Sequence, residues 1–380
     1  MNTTAAVATT SGPPMIVYHT ETLNTFSRWY STIHGYVSII ICVFGIPMNI
    51  INIIVLTRKK LQTPINSVLT WLAVADMATM MSYVPFAFHF YISYSANSMS
   101  AEKNTWGWMH FLLVYLNFSS TAHTISIWLC VALAIFRHSH IHSPAKGNLT
   151  RMRRIIRARV VVGIIFIASI ILMIPNYLSH SIDEWPWKDN TTIYVFEKWN
   201  LGSGNVKPMI LVSLILYSCL AKLVPCVLII IYGALLLITL NNTRLKSKKR
   251  MSGNGSVNQP SRRNRDMSRT TMMLLIVIVL FLVTELPQGV LIMCCIFLKD
   301  FFEEVYIPLG DSMDIIALVN SSVNFVLYCS MSQEFRRTFI NHFWKCGRQK
   351  RRPQRSLVSS HYNNDQLHAS LTEFLPLNPE

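Results

Sequence analysis

Apolar residues along this chain are concentrated in seven long runs separated by polar segments. Each run has roughly 20 or more residues, the length that a helix needs to cross the hydrocarbon core of a bilayer. None alternates apolar and polar positions as a strand of a membrane barrel does. The pattern therefore predicts an all-α integral membrane protein, a bundle of seven transmembrane helices. The predicted spans cover residues 34–56, 68–92, 109–136, 160–178, 208–240, 272–297 and 305–331.

The segments that flank these spans are polar. Residues 1–33 form a predicted amino-terminal tail that begins with the uncharged stretch MNTTAAVATTSGPPM and lacks the basic start of a cleavable signal peptide. We therefore expect the first span itself to direct insertion. Residues 34–345 form the predicted seven-helix domain, and the polar residues 346–380 form a predicted disordered tail.

Composition supports a membrane protein. Hydrophobic residues make up 51% of the chain and charged residues 14%, with a mean hydropathy of +0.35, whereas soluble domains average about 25% charged residues. A transporter is a weaker interpretation, because the sequence has no internal repeat of the kind that transporters show. The sequence also has no nucleophile–base constellation, metal-ligand cluster or phosphate-binding loop, so an enzyme is not expected.

Basic residues are distributed unequally between the two sides of the predicted bundle. Of the 34 Lys and Arg residues, 27 follow spans one, three, five and seven, and six lie in the remaining polar segments. The positive-inside bias places the first group in the cytosol and the amino terminus outside the cell. Topology and contact with anionic lipid account for the net charge of +16, so nucleic acid is not an expected partner.

Three positions are candidates for covalent modification. Asn2 and Asn190 begin Asn-Thr-Thr glycosylation sequons, and both lie on the predicted outer side. Cys346 lies beside basic residues about 15 positions beyond the last span, where it is either a palmitoylation site or a free thiol. The predicted outer loops contain no cysteine, so no disulfide is expected there.

Several short motifs occur at characteristic places in the predicted spans. They contain Asn49 in GIPMNIINIIVL, Asp76 in LAVAD, Arg137 in IFRHSH, Pro225 in span five, Phe281 and Pro287 in span six, and Asn324 and Tyr328 in NSSVNFVLY. Over about residues 30 to 345 the chain resembles the rhodopsin-like class of G-protein-coupled receptors. The resemblance implies a plasma-membrane receptor that activates a heterotrimeric G protein and binds arrestin, with a short amphipathic eighth helix at residues 332–343.

The same resemblance assigns activation to a small set of residues. Arg137 would engage the G protein once span six moves, and the other implied positions are Phe281, Pro287, Asn324 and Tyr328. The chain departs from the class at Phe136, which replaces the acidic neighbour of the arginine, and at Leu112, which replaces a cysteine near the top of span three. Without the acidic neighbour, other contacts must hold the resting state, and we expect raised basal activity.

A narrower resemblance comes from three features in combination. These are TELPQG in span six, the F-R-H end of span three, and NSSVNF followed by LY in span seven. Together they resemble invertebrate myosuppressin and FMRFamide-like neuropeptide receptors. That family implies a short secreted peptide, usually ending in Arg-Phe-amide. An unrelated peptide or a small molecule is the alternative ligand.

Asp76 is the first ionisable residue at predicted membrane depth. Ionisable groups there are costly and by default have a function. In the receptor class a sodium ion is held at the matching site, and the implied shell is Asp76, Ser126, Asn320, Ser321 and Asn324. A neutral Asp76 held by hydrogen bonds is the alternative.

Glu285 and Lys222 are the next intramembrane charges. At about 1.5 Å per residue, Glu285 lies roughly 20 Å from the outer end of span six, and Lys222 lies roughly 21 Å from the outer end of span five. Two interpretations follow from their equal depth. Either the two residues form a buried ion pair, or Glu285 binds the ligand.

Asp311 and Asp314 lie one turn apart near the outer end of span seven, on the same helical stripe as Ser321. A carboxylate facing the interior would bind a peptide arginine in bidentate geometry, and Asp314 is the first choice for that contact. For Asp311 an exposed loop position is the alternative. The full candidate ligand-binding set is Glu285, Asp314, Asp311, Gln288, Ser119 and His123.

Overall fold

The computed structural model describes residues 20–142, 147–199, 201, 206–252 and 262–343. Asn2, Cys346 and the predicted tail 346–380 lie outside these residues. Residues up to Arg336 belong to one compact unit and residues from Arg337 to a second unit. In the second unit the structure describes only residues 337–343, which complete the last helix.

Among the residues that the structure describes, seven helices are long and apolar enough to cross a membrane, so the predicted seven-helix bundle is confirmed. Four of them are uninterrupted: α1 Glu21–Leu56, α3 Trp106–His142, α4 Asn148–Ser179 and α6 Arg262–Phe297. The other three include a π-helical turn: α2 Pro64–Ala87 is followed by the turn Phe88–Ser93, and α7 Ile307–Met331 is preceded by the turn Phe302–Tyr306. Helix α5 consists of Pro208–Leu216, the turn Tyr217–Leu223 and Val224–Ser252. A shorter helix, α8, covers Gln333–Phe343, in agreement with the predicted eighth helix.

Three helices begin well before the predicted spans. The first helix starts at Glu21, within the predicted tail 1–33, α4 starts at Asn148 rather than residue 160, and α6 starts at Arg262 rather than residue 272. All three extensions are too polar to be recognised as spans from hydropathy. A helix satisfies its own backbone hydrogen bonds in water as well as in lipid, so it can continue past the bilayer.

The segment between α4 and α5 forms a β-hairpin that the all-α prediction did not include. Strand β1, Ile182–Pro186, pairs in antiparallel register with β2, Thr192–Phe196, so that Asp183 lies opposite Val195. Asn190, in the connection, has a positive φ of 60°, a conformation that asparagine tolerates better than most residues. Its side chain is exposed, as a glycosylation acceptor must be.

Helix α3 has the central position in the bundle, packing against α2, α4, α5 and α6. The first helix packs against α2 and α7, and α6 packs between α5 and α7. A buried aromatic cluster fills the space between α2 and α3 towards the end where the hairpin lies. It contains Tyr83, Phe86, Phe90 and Tyr115.

Candidate functional site

The first polar group joins α3, α5 and α6 around a buried ion pair. Lys222 and Glu285 form a salt bridge, and their side chains are 1% and 2% exposed. Lys222 also donates to Oε1 of Gln288 at 2.9 Å. Nδ1 of His123 lies 3.8 Å from Oε1 of Glu285. Three of the candidate ligand-binding residues thus surround one lysine; we call Lys222, Glu285, Gln288 and His123 the charged group.

Local backbone geometry brings this charged group together. Lys222 belongs to the π-helical turn of α5, a feature that is rare within helices and frequent at functional sites. Gly289 allows α6 to approach, because a Cβ at that position would lie 3.0 Å from Cβ of Lys222. The hydroxyl of Ser218 donates to the carbonyl of Gly289 at 3.1 Å. The tight α5–α6 contact is therefore part of the site.

The second polar group lies between α1, α2 and α7 and is acidic. Tyr83 donates its hydroxyl to Asp314 at 3.2 Å, and Tyr91 donates to Asp311 at 2.6 Å. Nε2 of His34 lies 2.7 Å from the Tyr83 hydroxyl. Within the described part of the chain, neither carboxylate forms a salt bridge with Lys or Arg. We call these five residues the acidic group.

Five of the six ligand-binding candidates thus belong to these two groups, and the sixth, Ser119, belongs to neither. Glu285, Gln288 and His123 belong to the charged group, and Asp311 and Asp314 belong to the acidic group. Ser119 lies on α3, with its side chain near the hydroxyl of Tyr115 in the aromatic cluster. Asp311 is half-buried rather than exposed in a loop, and its tyrosine contact connects α7 to α2.

The aromatic partners of the acidic group could not be recognised from the sequence alone. Trp106 is 58% exposed, as an aromatic residue at a membrane interface can be, whereas Tyr115 is 4% and His89 is 5% exposed. The ring of His89 stacks on that of Trp108, with the ring centroids 3.7 Å apart. No periodicity in this mixed polar and aromatic stretch indicates which rings face the interior.

Asp76 lies in a separate polar pocket that contains most of the predicted sodium shell. Asn324 donates to one carboxylate oxygen at 2.9 Å and Ser126 to the other at 3.4 Å. The side chain of Ser321 lies near the same carboxylate. The fifth position, Asn320, instead contacts the Thr284 hydroxyl at 3.5 Å. The oxygen atoms of one carboxylate and two hydroxyls are ligands that suit a hard cation, so the residues present fit a sodium ion.

Arg137, at the end of α3 opposite the hairpin, is held by a residue that sequence analysis did not single out. Its guanidinium donates to the hydroxyl of Thr271 on α6, with Nε at 3.1 Å and a terminal nitrogen at 2.5 Å. Arg137 is 5% exposed and Thr271 is 1% exposed. This contact joins α3 to α6. It restrains Arg137 although Phe136 replaces the acidic neighbour that the receptor class has beside this arginine.

Of the other residues implied in activation, Phe281 on α6 and Asn324 and Tyr328 on α7 are buried, whereas Pro287 on α6 is exposed. Phe281 is 3% exposed and Tyr328 is 2% exposed, with the Tyr328 ring centroid 5.6 Å from that of Phe335 at the start of α8. Pro287 lies inside α6, two residues after Glu285. A proline removes one backbone hydrogen bond and kinks a helix, so α6 can bend beside the charged group.

Comparisons with known proteins agree on the class of molecule. The profile of the serpentine type 7TM GPCR chemoreceptor Srw family matches residues 36–346. The chain is 30% identical over 358 residues to the G-protein coupled receptor dmsr-1 of Caenorhabditis elegans, covering 83% of this chain and 69% of that protein. It is 23% identical to the sex peptide receptor of Drosophila melanogaster (86% and 76% covered) and 21% identical to the FMRFamide receptor of that species (86% and 55% covered).

Proposed function

Because the chain belongs to the serpentine type 7TM GPCR chemoreceptor Srw family, we propose that it is a cell-surface receptor for a short amidated neuropeptide ending in Arg-Phe-amide. Its relatives include receptors named for the sex peptide and for FMRFamide, and it is itself a multi-pass membrane protein. Peptide binding would activate a heterotrimeric G protein, and arrestin would bind the activated state. A receptor of this family is not an enzyme.

The acidic group is the observation that carries the peptide proposal. Asp311 and Asp314 are half-buried, and their described partners are tyrosine hydroxyls rather than cations. Hydroxyl donors reduce the cost of burying a carboxylate without neutralising its charge. A peptide arginine supplies the missing positive charge through two parallel hydrogen bonds. We assign the arginine to Asp314 first and to Asp311 second.

The charged group favours an uncharged peptide terminus. Lys222 already neutralises Glu285, so a further full charge entering that site would be unpaired, and burying an unpaired charge is strongly unfavourable. A terminal amide has no charge and can both donate and accept hydrogen bonds beside Gln288 and His123. A free carboxylate would instead be repelled by Glu285. Binding here places the ligand against the Lys222–Glu285 contact that joins α5 to α6.

Activation follows from displacement of α6. A ligand that competes for Glu285 or Gln288 loosens the contact with Lys222, and α6 can bend at Pro287. Movement of its other end separates Thr271 from Arg137, which frees the guanidinium for the G protein. In this scheme the ligand shifts a population between two arrangements by binding one of them more tightly.

The proposed orientation has the amino terminus outside the plasma membrane and the carboxyl terminus in the cytosol. Epitope tags at the two ends test it directly. Antibody should stain an amino-terminal tag on intact cells and a carboxyl-terminal tag only after permeabilisation. The reverse pattern would place the acidic group on the wrong side for a secreted peptide.

A panel of amidated peptides on cells that express the chain tests the proposed function. Peptides ending in Arg-Phe-amide should activate it at low concentration, and their free-acid forms should be at least about tenfold weaker, a difference of about 1.4 kcal/mol. Asp314→Asn should reduce the potency of these peptides. For a peptide with citrulline in place of arginine, Asp314→Asn should cause no further loss of potency relative to the wild-type receptor. Equal responses to amide and acid forms would refute the assignment and favour an unrelated peptide or small molecule.

A further inference from the structure

A reciprocal pair of hydrogen bonds joins strand β2 to the loop that precedes α3. The backbone N–H of Tyr194 donates to the carbonyl of Asn104 at 3.0 Å. The side-chain amide of Asn104 donates back to the carbonyl of Tyr194 at 3.3 Å. Asn104 is only 8% exposed, so water competes little for either bond. We call this pair the Asn104–Tyr194 clasp.

The loop that carries Asn104 is held by its own lysine. The ammonium of Lys103 donates to the carbonyls of Ser95 at 2.7 Å, Ala96 at 3.0 Å and Ser98 at 3.1 Å. Lys103 is 6% exposed, and burial lowers its pKa. The carbonyl of Lys103 lies 3.1 Å from Nε2 of His89 on α2. The clasp is therefore attached to a fixed loop, which makes it able to restrain the hairpin.

The hairpin in turn reaches the acidic group through packed side chains. Ile182, Tyr194 and Phe196 pack against the buried aromatic cluster. That cluster contains Tyr83, whose hydroxyl donates to Asp314. A displacement of the hairpin would therefore change the packing around the tyrosine that orients this carboxylate.

Among the described residues, no disulfide attaches the hairpin to the loop before α3. The seven cysteines that the structure describes are free thiols, and none lies in the hairpin. The base of the hairpin is closed by Glu197, which accepts from the Ser181 hydroxyl and from Lys207 at 2.5 Å, and the Lys207 contact lowers the pKa of Glu197. These contacts join the hairpin's own ends to each other and to Lys207 at the start of α5, and they do not reach α3.

We propose that Asn104 is a positioning residue for ligand recognition, because its clasp with Tyr194 holds the β1–β2 hairpin against the aromatic cluster beside the acidic group. Asn104 acts through Tyr194 and does not itself contact the ligand. The expected effect of Asn104 on ligand potency rests on the proposed peptide function. The structural part of the inference, that one hydrogen-bonded clasp fixes the hairpin to the loop before α3, is independent of what the ligand is.

A ligand-free experiment tests the structural part. Trypsin is applied to intact cells, and cleavage after Lys188, which is exposed between the two strands, is followed by mass spectrometry. Asn104→Ala should be cleaved several times faster than the wild type at matched surface expression. Asn97→Ala is the control, because Asn97 lies in the same loop but donates to Ser31 of α1 at 3.2 Å. Equal rates in all three proteins would overturn the proposal.

A covalent replacement provides a second variant that does not depend on comparing folding yields. Asn104→Cys combined with Tyr194→Cys should form a disulfide, because the hydrogen bonds already bring the two backbones within its reach. We expect slow cleavage after Lys188 in this protein and a several-fold acceleration on addition of dithiothreitol. The wild type and both single-cysteine variants should not respond to the reductant. A disulfide that forms without protecting the hairpin would also contradict the clasp.

The ligand arm uses the most active Arg-Phe-amide peptide of the panel as probe. Asn104→Ala should lower its potency at least tenfold without changing basal signalling, whereas Asn97→Ala should not. The double-cysteine variant also lacks the Tyr194 ring, so its potency should exceed that of the Tyr194→Cys single variant and fall to that level in dithiothreitol. Unchanged potency in Asn104→Ala refutes a positioning role even if cleavage is accelerated. If no peptide of the panel activates the wild type, the proposed ligand class fails and the cleavage arm alone decides on the clasp.

Discussion

Lys222 and Glu285 illustrate how single residues are constrained in this protein. Each is a charge with almost no access to water, and each would be expensive to bury alone. Their pairing offsets the desolvation cost without necessarily stabilising the fold. Gln288 and the Tyr217 ring, whose centroid lies 5.4 Å from the ammonium, add further contacts. Removing one partner should therefore be worse than removing both.

We predict a strongly non-additive mutant cycle at this pair. Glu285→Gln and Lys222→Met should each destabilise the folded state by about 3–5 kcal/mol, because each leaves one buried charge unpaired. The double variant should recover most of the loss, measured as the thermal unfolding midpoint in detergent. Lys207→Met is the control, since its pair with Glu197 is exposed and exposed ion pairs contribute little to stability. Simple addition of the two losses would contradict the pairing.

Arg137 supports a second prediction at the scale of one residue. Thr271→Val removes the hydroxyl that accepts from the guanidinium while keeping the side-chain volume. Hydrogen bonds to charged groups contribute about 1.5–3 kcal/mol, so basal signalling without ligand should rise by about tenfold. Thr271→Ser keeps the acceptor and should remain at the wild-type level. The two variants are compared in a cell signalling assay at equal surface expression, and identical basal signals would show that the contact does not restrain α6.

At the scale of elements, departures from regular α-helix determine where polar side chains point. The π-helical turns in α2, α5 and α7 include Tyr91, Lys222 and Tyr306, and an added residue per turn rotates every later side chain. Tyr91 thereby faces Asp311 across the α2–α7 contact. Helix α1 must come close for this arrangement, and Gly35 allows it. A Cβ at Gly35 would lie 2.7 Å from Cβ of Tyr91.

We predict that Gly35→Ala weakens the α1–α2 contact. Cβ of Tyr91 cannot move without its backbone, and overpacking of this kind costs about 1–3 kcal/mol. The thermal unfolding midpoint should fall, and peptide potency should fall with it because Tyr91 is displaced from Asp311. Gly163→Ala in α4 is the matched control, since an added Cβ there has nothing within 4 Å and alanine favours helix. Equal behaviour of the two variants would argue against a close-packed α1–α2 contact.

At the scale of the whole molecule, the bundle has polar residues at several depths along its interior. The acidic group joins α1, α2 and α7, and the charged group joins α3, α5 and α6. The Asp76 pocket lies between α2, α3 and α7, and Arg137 meets α6 at the far end. Each site connects helices that are distant in sequence. A ligand at any of them therefore stabilises one arrangement of the entire bundle rather than a local segment, by the free energy of its binding.

Sodium provides a test at this scale, because we propose that Asp76 with Ser126 and Ser321 binds the ion. The wild type should unfold about 2–4 °C higher in sodium chloride than in N-methylglucamine chloride of equal ionic strength, when the sodium concentration is about ten times the Kd of the site. Asp76→Asn removes the carboxylate charge and should abolish the difference. Equal midpoints for the wild type in both salts would favour the alternative, a neutral Asp76 held by hydrogen bonds.

The amino-acid sequence by itself determined the seven helices, the class of receptor and the identity of the costly charges. Hydrophobic runs of bilayer length leave the backbone no alternative to helix, and an intramembrane carboxylate is conspicuous wherever it lies. Equal depth even indicated Lys222 as a partner for Glu285. The predicted sodium shell came from resemblance, and Asn320 shows its limit: a matching residue does not ensure a matching contact.

Only the tertiary structure decided which side chains meet. Thr271, His34, Tyr83 and Asn104 are ordinary residues in sequence and acquire a role only through partners on other helices or on β2. Their contacts depend on helix rotation, on π-helical turns and on close approaches at glycine, none of which alters the hydrophobic pattern. Hydropathy reports the transfer of a segment from water to lipid, which is a property of the segment alone. A hydrogen bond between helices requires the orientation of both, and that is fixed only when the whole bundle packs.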